Sequence, residues 1–371
     1  MTDQRLRELF GELAETLPEG SSRAGELWRQ GTRSRARRRW TVLAAATAVT
    51  GLVVAANVVT GPEQAERGVT GRPTPAASPG PVLDTAPPAG DEAALPAAAT
   101  ALPERWAAIP VVRTVPGPVL ALAEFGDGRV HVLKSGGRFP LDVKLGRAGD
   151  GGTPLRPNSL APDGTMAAFP QQDEIVVVDL VIGQTRRYPV PGRNAVVLWR
   201  GERLLVEQEK ADYLLDLATG EVTRQPNRGF GGVAGYRDLR IVPIGGRTFL
   251  REGAAQVELA VDGGPATAVP GRHGWQRDGL VAVPGRAPGE RPGRADAVVV
   301  AEAATGRVVR TLLLPGARCG KGGCPVRGWA RHGTVLVESG DRLLGWDLAT
   351  GALSRVADLR PDVTAYSLRS G

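Results

Sequence analysis

The chain is poor in the residues that most often carry chemistry. Its 371 residues include 2 cysteines, 3 histidines and 2 methionines, and aromatic residues make up 5%. The histidines, His131, His273 and His332, show no HExxH spacing, and no GxSxG nucleophile turn occurs. His131 falls inside a strand-like run, where a structural role is expected, and His273 and His332 fall at strand openings or turns. Asp127-Gly128, Asp150-Gly151 and Asp262-Gly263 read as turn formers before calcium ligands. Lysine is scarce as well: Lys134, Lys144, Lys210 and Lys321 are the only ones, so arginine supplies nearly all the positive charge of a chain at net +7. No alternation of aromatic and basic residues accompanies that charge, so nucleic acid is not an expected partner. With no metal or cofactor motif, a binding module is expected rather than an enzyme. Long apolar runs are absent except for one.

That run is Thr41–Thr60, TVLAAATAVTGLVVAANVVT, 20 residues without a charge. At ~1.5 Å per residue it matches a hydrocarbon core of ~30 Å. Arg33, Arg35, Arg37, Arg38 and Arg39 precede it, and Trp40 suits an interfacial anchor. The following flank, residues 61–80, balances Arg67 and Arg72 with Glu63 and Glu66. The asymmetry places residues 1–40 in the cytoplasm, a single transmembrane helix at 41–60, and the remainder outside the cell membrane. A cleavable signal peptide is disfavoured by the forty-residue head, and a buried soluble helix by Pro62 and the low-complexity stretch behind it. The topogenic arginines also account for part of the basic balance, which therefore says less about ligands.

In the head, Thr2-Asp3 can cap a helix whose apolar stripe is Leu6, Leu9, Phe10, Leu13 and Leu17, stopped by Pro18-Glu19-Gly20. Such a stripe must be buried on something: the inner membrane surface or a cytoplasmic partner. Abundant Ala, Gly and Pro with arginine in place of lysine is similar to high-GC actinobacterial proteins. The order of leucine-rich helix, arginine block, single span and outer domain resembles actinobacterial membrane proteins of the anti-sigma-factor type, and this implies a cytoplasmic sigma factor as partner. Residues 1–60 hold no His or Cys, so the zinc-containing version of that pattern is not present. Residues 61–105 are a Pro/Ala/Gly run with few large apolar residues, expected to be a disordered or partly extended spacer.

From residue 106 the period changes. Short runs rich in Val and Leu, such as Arg129–Leu133, Ile175–Leu180, Leu204–Gln208, Val298–Ala301 and Leu343–Leu348, alternate with Gly, Pro and Asp turns and read as all-β. A unit of strand, acid, turn and glycine recurs, ending at Gly183, Gly220, Gly263, Gly306 and Gly351, spaced 37, 43, 43 and 45 residues. A weaker unit ends at Gly136. Leu160, Trp199, Tyr236, Trp275, Trp329 and Tyr366 mark the opening strand of each unit. Units of this length with four short strands predict a propeller over 106–371, of six blades or alternatively seven, closed by Val363–Leu368 joining the first blade. The Pro162-Asp163-Gly164-Thr165 turn and Val178-Asp179-Leu180 resemble the repeat of TolB-like and WD40-like propellers, which implies that fold and no particular function.

Two sites follow. In an oxidising exterior, Cys319 and Cys324 are expected to form a disulfide that shapes a short loop. If the strand order holds, one face of the propeller gathers Arg147, Arg156, Arg193, Arg228, Arg272, Arg286, Arg291, Arg294, Arg318, Lys321 and Arg327. Such a ring suits an anionic cell-wall polymer or phosphate groups, against the plain alternative of a solvated arginine-rich surface. The chain therefore reads as a membrane-anchored, extracytoplasmic binding module. Relay to a sigma factor is the leading specific function, and a passive envelope scaffold or an envelope hydrolase are the alternatives.

Overall fold

The computed structural model describes residues 82–371 apart from 107, 114–115, 227–229, 236, 246, 260–266, 269–272, 287–295, 316–317, 320–323, 331–332, 360–362 and 370–371. The amphipathic head, the arginine block and the expected span at 41–60 lie outside the described residues. Among the described residues no helix is long and apolar enough to cross a membrane.

The strands are β1 (Val82–Thr85), β2 (Ala121–Phe125), β3 (Val130–Lys134), β4 (Gly137–Pro140), β5 (Met166–Asp179), β6 (Thr185–Arg193), β7 (Val196–Arg200) and β8 (Arg203–Glu207). They continue with β9 (Asp212–Asp216), β10 (Val222–Gln225), β11 (Val233–Ala234), β12 (Leu239–Ile244), β13 (Arg247–Glu252), β14 (Ala255–Glu258), β15 (Thr267–Ala268) and β16 (Gly274–Arg277). The last are β17 (Leu280–Arg286), β18 (Ala297–Glu302), β19 (Val308–Leu313), β20 (Val326–Ala330), β21 (Thr334–Ser339), β22 (Arg342–Asp347), β23 (Leu353–Asp358) and β24 (Val363–Leu368).

Four sets repeat one plan of four antiparallel strands: β7–β10, β16–β19, β20–β23, and β24 with β2–β4. This is an all-β, propeller-like arrangement. The last strand, β24, pairs with β2, from Ala121 opposite Leu368 to Phe125 opposite Val363, so the C-terminal strand completes the first sheet. Two smaller sheets lie between these in sequence: β12–β13–β14, and β5–β6. Each has the trace of a further inner strand, because Gly232 bridges Arg240 and Leu160 bridges Ala167. In β5 the Leu180 N–H reaches the Thr165 carbonyl at 2.8 Å, so the two ends of the strand lie together. The chain reverses near Asp173, whose φ is 60°.

The sequence dictates this layering directly. A blade packs on both faces, so its middle strands need not alternate; in β18, Val298, Val299 and Val300 are all fully buried. The outer strand β10, Val-Thr-Arg-Gln, is polar because one side meets water. The opening-strand aromatics sit where expected, on β7, β16 and β20, and tie neighbours together. Trp275 Nε1 donates to the Val326 carbonyl at 2.9 Å, and Trp329 Nε1 donates to the Trp275 carbonyl at 3.0 Å. The recurrent acid–glycine unit is a turn that closes on itself. Asp216 Oδ1 accepts the N–H groups of Ala218 and Thr219 at 2.9 and 3.0 Å, and the Gly220 N–H bonds back to the Asp216 carbonyl at 2.8 Å. Asp179 and Asp347 repeat the arrangement, and Gly183, Gly220, Gly306 and Gly351 take φ between 73° and 80°. In one unit the register differs from the sequence reading. The turn between β13 and β14 is made by Gly253, with φ 57°, and Gly263 lies outside the described residues.

The larger correction concerns the spacer. Residues 61–81 lie outside the described residues, but residues 82–105 are not a disordered linker: with the residues that follow as far as Val112 they form a strap laid along three sheets. β1 pairs in parallel with β19, Val82 opposite Arg310 to Thr85 opposite Leu313. Asp91–Ala94 forms one 3-10 turn. Ala97 and Arg105 then bridge Arg355 and Asp358 on β23, and Val111 bridges Arg138 on β4. The composition misled because the few large apolar residues of the strap, such as Trp106, are joined by backbone pairing and ion pairs to distant strands. Asp84 receives Arg310 at 2.5 Å and the Trp346 indole N–H at 2.9 Å. The Arg310 hydrogen bond outweighs partial burial and keeps the Asp84 carboxyl below its usual range. Glu92 is buried against Arg318 and accepts from Ser339 Oγ at 2.9 Å. Trp106, fully buried, meets the Tyr366 ring edge-on at 5.4 Å.

Candidate binding face

In each complete sheet the second-to-third turn and the connector to the next sheet lie at the same ends of the strands. This face collects the buried charges of the domain. At its centre Glu207 ends β8, Asp212 begins β9, Arg240 lies on β12 and His273 immediately precedes β16. The short stretch Gln208–Ala211 turns the chain so that both carboxylates point into the sheet, where each is fully buried. His273 Nε2 lies 2.8 Å from Glu207 Oε2, the Gly232 N–H donates to Glu207 Oε1 at 2.9 Å, and Arg240 sits 2.6 Å from Asp212 and 3.7 Å from Glu207. Gly232 is required at this point: a Cβ there would lie 2.3 Å from Leu198 Cδ1 and 2.9 Å from Glu207 Oε1.

The environments separate the two acids. Burial raises the Glu207 carboxyl, but the hydrogen bond and charge of His273, with Arg240 and the Gly232 N–H, outweigh it and hold the group below its ordinary range. Asp212 moves the other way, to about 6, because burial and the Glu207 charge exceed what Arg240 returns. Nearby, burial lowers Arg200 to about 10, with Asp238 3.9 Å away as its partial counter-ion. His273 is the member that reaches water, its side chain 28% exposed, with the half-exposed Phe230 ring edge-on at 6.4 Å. His273 is thus the member of the set that a ligand could touch, while the proton that responds near pH 6 sits on buried Asp212.

The arginine face expected from sequence is divided. Arg147 and Arg193 are exposed, and Arg147 Nη1 donates to the Gly151 carbonyl at 3.0 Å. Arg156 is paired with Asp150, and Arg286, at the end of β17, has a partner of its own. Arg318 and Arg327 do not face solvent. Arg318 is buried on Glu92, and Arg327 bonds Glu338 at 2.6 Å with its guanidinium 4.8 Å from the Tyr366 ring centre. Arg318 is drawn in by the buried Glu92 and Arg327 by the partly buried Glu338. Arg228, Arg272, Arg291, Arg294 and Lys321 lie outside the described residues. Cys319 and Cys324 form the expected disulfide, with Cα atoms 4.5 Å apart, in the connector between β19 and β20. Both are buried in an apolar cluster with Trp275 and Trp329. No group of metal-binding side chains occurs among the described residues.

On the first sheet a cleft of about 820 Å³ lies between the β2–β4 side and the connector 141–154, lined by Arg129, Lys144 and Arg147 together with Glu124 and Asp142. A smaller cavity of about 390 Å³ adjoins it across Arg129. Sequence reasoning missed Glu207, Asp212 and Arg240. Their one signal is an acid closing each side of the turn in Leu204-Leu205-Val206-Glu207 to Asp212, where the strand before it is wholly apolar.

No family model matches the chain, and no curated protein sequence matches it. Among solved structures, it is similar to a chain of the mitotic checkpoint complex at 15% identity and TM-score 0.42, covering 66% of this chain and 74% of that one. It is also similar to PorZ, a bacterial surface component of the type-IX secretion system of Porphyromonas gingivalis, at 15% identity and TM-score 0.41, covering 65% of this chain and 30% of PorZ. The dihydro-heme d1 dehydrogenase NirN aligns at 16% identity and TM-score 0.35, covering 70% of this chain and 68% of that one. The fold assignment rests on the strand pairing, not on these likenesses.

Proposed function

We propose that the protein is a membrane-anchored, extracytoplasmic six-bladed propeller of the TolB-like or WD40-like kind that binds a ligand on the face of the connectors and relays its occupancy through the strap to the anchor and a cytoplasmic sigma factor. The six blades are the four complete sheets plus the two smaller ones, each completed by its bridged inner residue. The observation that carries the relay reading is the Glu92–Arg318 pair. A passive tether needs only a loose spacer. Here the segment arriving from the anchor side is pinned across three sheets and meets, at Arg318, the residue next to the Cys319–Cys324 loop of the binding face. A ligand that moves that loop therefore acts on the strap.

The test uses the full chain in native membranes. A sigma factor is expected to co-purify with the full chain and not with one lacking residues 1–40, and less of it after Glu92→Gln. Equal recovery from both chain lengths would leave the domain as an envelope scaffold. Retention on anionic wall material that falls with salt would identify the ligand class of the face.

A further inference from the structure

The smaller cavity on the first sheet is built differently from the rest of the surface. Its walls are Phe125 and Asp127 at the end of β2, Arg129 and His131 at the start of β3, Arg138 on β4, and Val111 of the strap, enclosing about 390 Å³. That volume falls within the usual range for small-ligand sites. The Arg138 guanidinium carbon sits over Phe125, 3.7 Å from the ring centre, and the His131 ring meets the same phenyl edge-on at 5.2 Å. A guanidinium over a ring gains cation–π attraction but still needs acceptors for its N–H groups. Arg138 Nε and Nη1 are nevertheless buried with no hydrogen-bond partner among the described residues. Among the described residues no carboxylate forms a salt bridge with Arg138 or Arg129. Asp127, on the rim, lies 3.6 Å from His131 and accepts the Arg129 backbone N–H at 3.0 Å. Two arginines and one carboxylate therefore line the cavity.

We propose that this cavity is a binding site for a phosphate monoester, with the phosphate held by Arg138 and Arg129 and the organic part filling the space beside Phe125 and Val111. The dianion matches the charges of the two arginines that line the cavity. The site is also a joint. The Arg138 backbone holds the strap on both sides, its N–H on the Pro110 carbonyl and its C=O on the Val112 N–H, each at 2.9 Å. Occupancy that fixes Arg138 therefore fixes the end of the strap. This stands apart from the relay reading and holds equally for a scaffold.

The test is titration of the purified full chain in detergent with glycerol phosphate, with inorganic phosphate and with acetate, at constant ionic strength, read by calorimetry and by amide exchange at Val112. Saturable binding of glycerol phosphate is expected, stronger than that of acetate, with slower exchange at Val112. Inorganic phosphate binding as tightly as the ester would reduce the site to one for free phosphate and overturn the ester assignment. Arg138→Gln is expected to weaken binding about 10- to 100-fold, the range of a charge-assisted hydrogen bond. Should that variant fail to fold, Arg129→Gln, a change at an exposed side chain, is expected to weaken binding about tenfold. No saturable binding by the wild type, or the same affinity in the folded variants, overturns the proposal.

Discussion

Replacing Glu92 with Gln tests whether the strap is part of the domain. The Glu92 carboxylate is the single ion partner of Arg318 among the described residues; Arg318 is itself buried, with Nε and Nη2 lacking any hydrogen bond. Glutamine keeps the volume and can still accept from Ser339, but leaves a guanidinium charge uncompensated. Removing one member of a buried pair costs about 3–5 kcal/mol, because the survivor stays buried and unpaired. The strap offers an escape: lifting the turn at Asp91–Ala94 lets water reach Arg318 without unfolding the sheets. The cost should then appear as local opening. Amides of Ala86, Leu95 and Ala98, which bond to Leu313, Glu92 and Arg355, are expected to exchange roughly 10²- to 10³-fold faster. Core amides of β18 and β21 should change little. Adding Arg318→Met to Glu92→Gln removes the stranded charge and should recover much of the lost protection. Strap exchange within roughly threefold of wild type in the single variant would refute the reasoning.

Further expectations follow from the same physics. Asp212 is raised to about 6 in the folded state, so folding favours its protonated form; its stabilising effect is present below the unfolded pKa and is lost as pH rises through about 6. Asp212→Asn should remove a fall in stability of about 3 kcal/mol between pH 4 and 7, read from denaturation midpoints, and an unchanged pH slope would contradict this. Glu207, held low, contributes with the opposite sign as the pH drops through its folded pKa, so the two variants should tilt the profile in opposite directions. Gly183 and Gly306 share φ 73° in equivalent turns, but a Cβ at Gly183 meets open space while one at Gly306 would lie 2.0 Å from the Glu258 carbonyl oxygen. Gly183→Ala should cost about 1 kcal/mol and Gly306→Ala about 1–3 kcal/mol more, with equal urea midpoints the refuting result. Replacing both Cys319 and Cys324 with Ala removes a ring spanning a sequence separation of 5, for which loop entropy gives about 2 kcal/mol. A loss far above that would mean the bridge fixes the packing of Trp275 and Trp329 as well.

The fold was legible where local chemistry repeats. Acid–glycine turns, opening-strand aromatics and the closing strand at Val363–Leu368 each come from patterns that backbone geometry enforces, and each reappears in the fold. The strap was illegible because its partners are distant in sequence. Asp84 and Glu92 each reach an arginine 226 residues away, and no composition window contains both ends of such a pair. Gly253 took the turn expected of Gly263 because the spacing of glycines does not distinguish a hairpin from the longer connector that follows it. The candidate face was half legible. The positions of Arg147 and Arg193 agree with a solvated face, but Arg318 and Arg327 show that an arginine count cannot say which guanidiniums are already neutralised by a buried carboxylate.

The acids of this domain therefore divide into two groups by what satisfies them. Asp179, Asp216 and Asp347 at one end of the blades accept N–H groups of their own turns through Oδ1, so their hydrogen-bond partners are local. Glu207, Asp212 and Glu92 toward the other face are buried and meet arginines from other elements, which ties separate parts of the chain together, and for Glu207 and Asp212 that setting also shifts protonation. Only the second kind can respond to a change in position of a neighbouring element, because only there does the partner belong to another part of the chain. The connectors at that face also differ in length from sheet to sheet, whereas three of the opposite turns repeat the Asp216–Gly220 plan. Coupling between separate elements is therefore concentrated on the connector face and on the strap pinned to it, and the acid–glycine turns close locally at the other end.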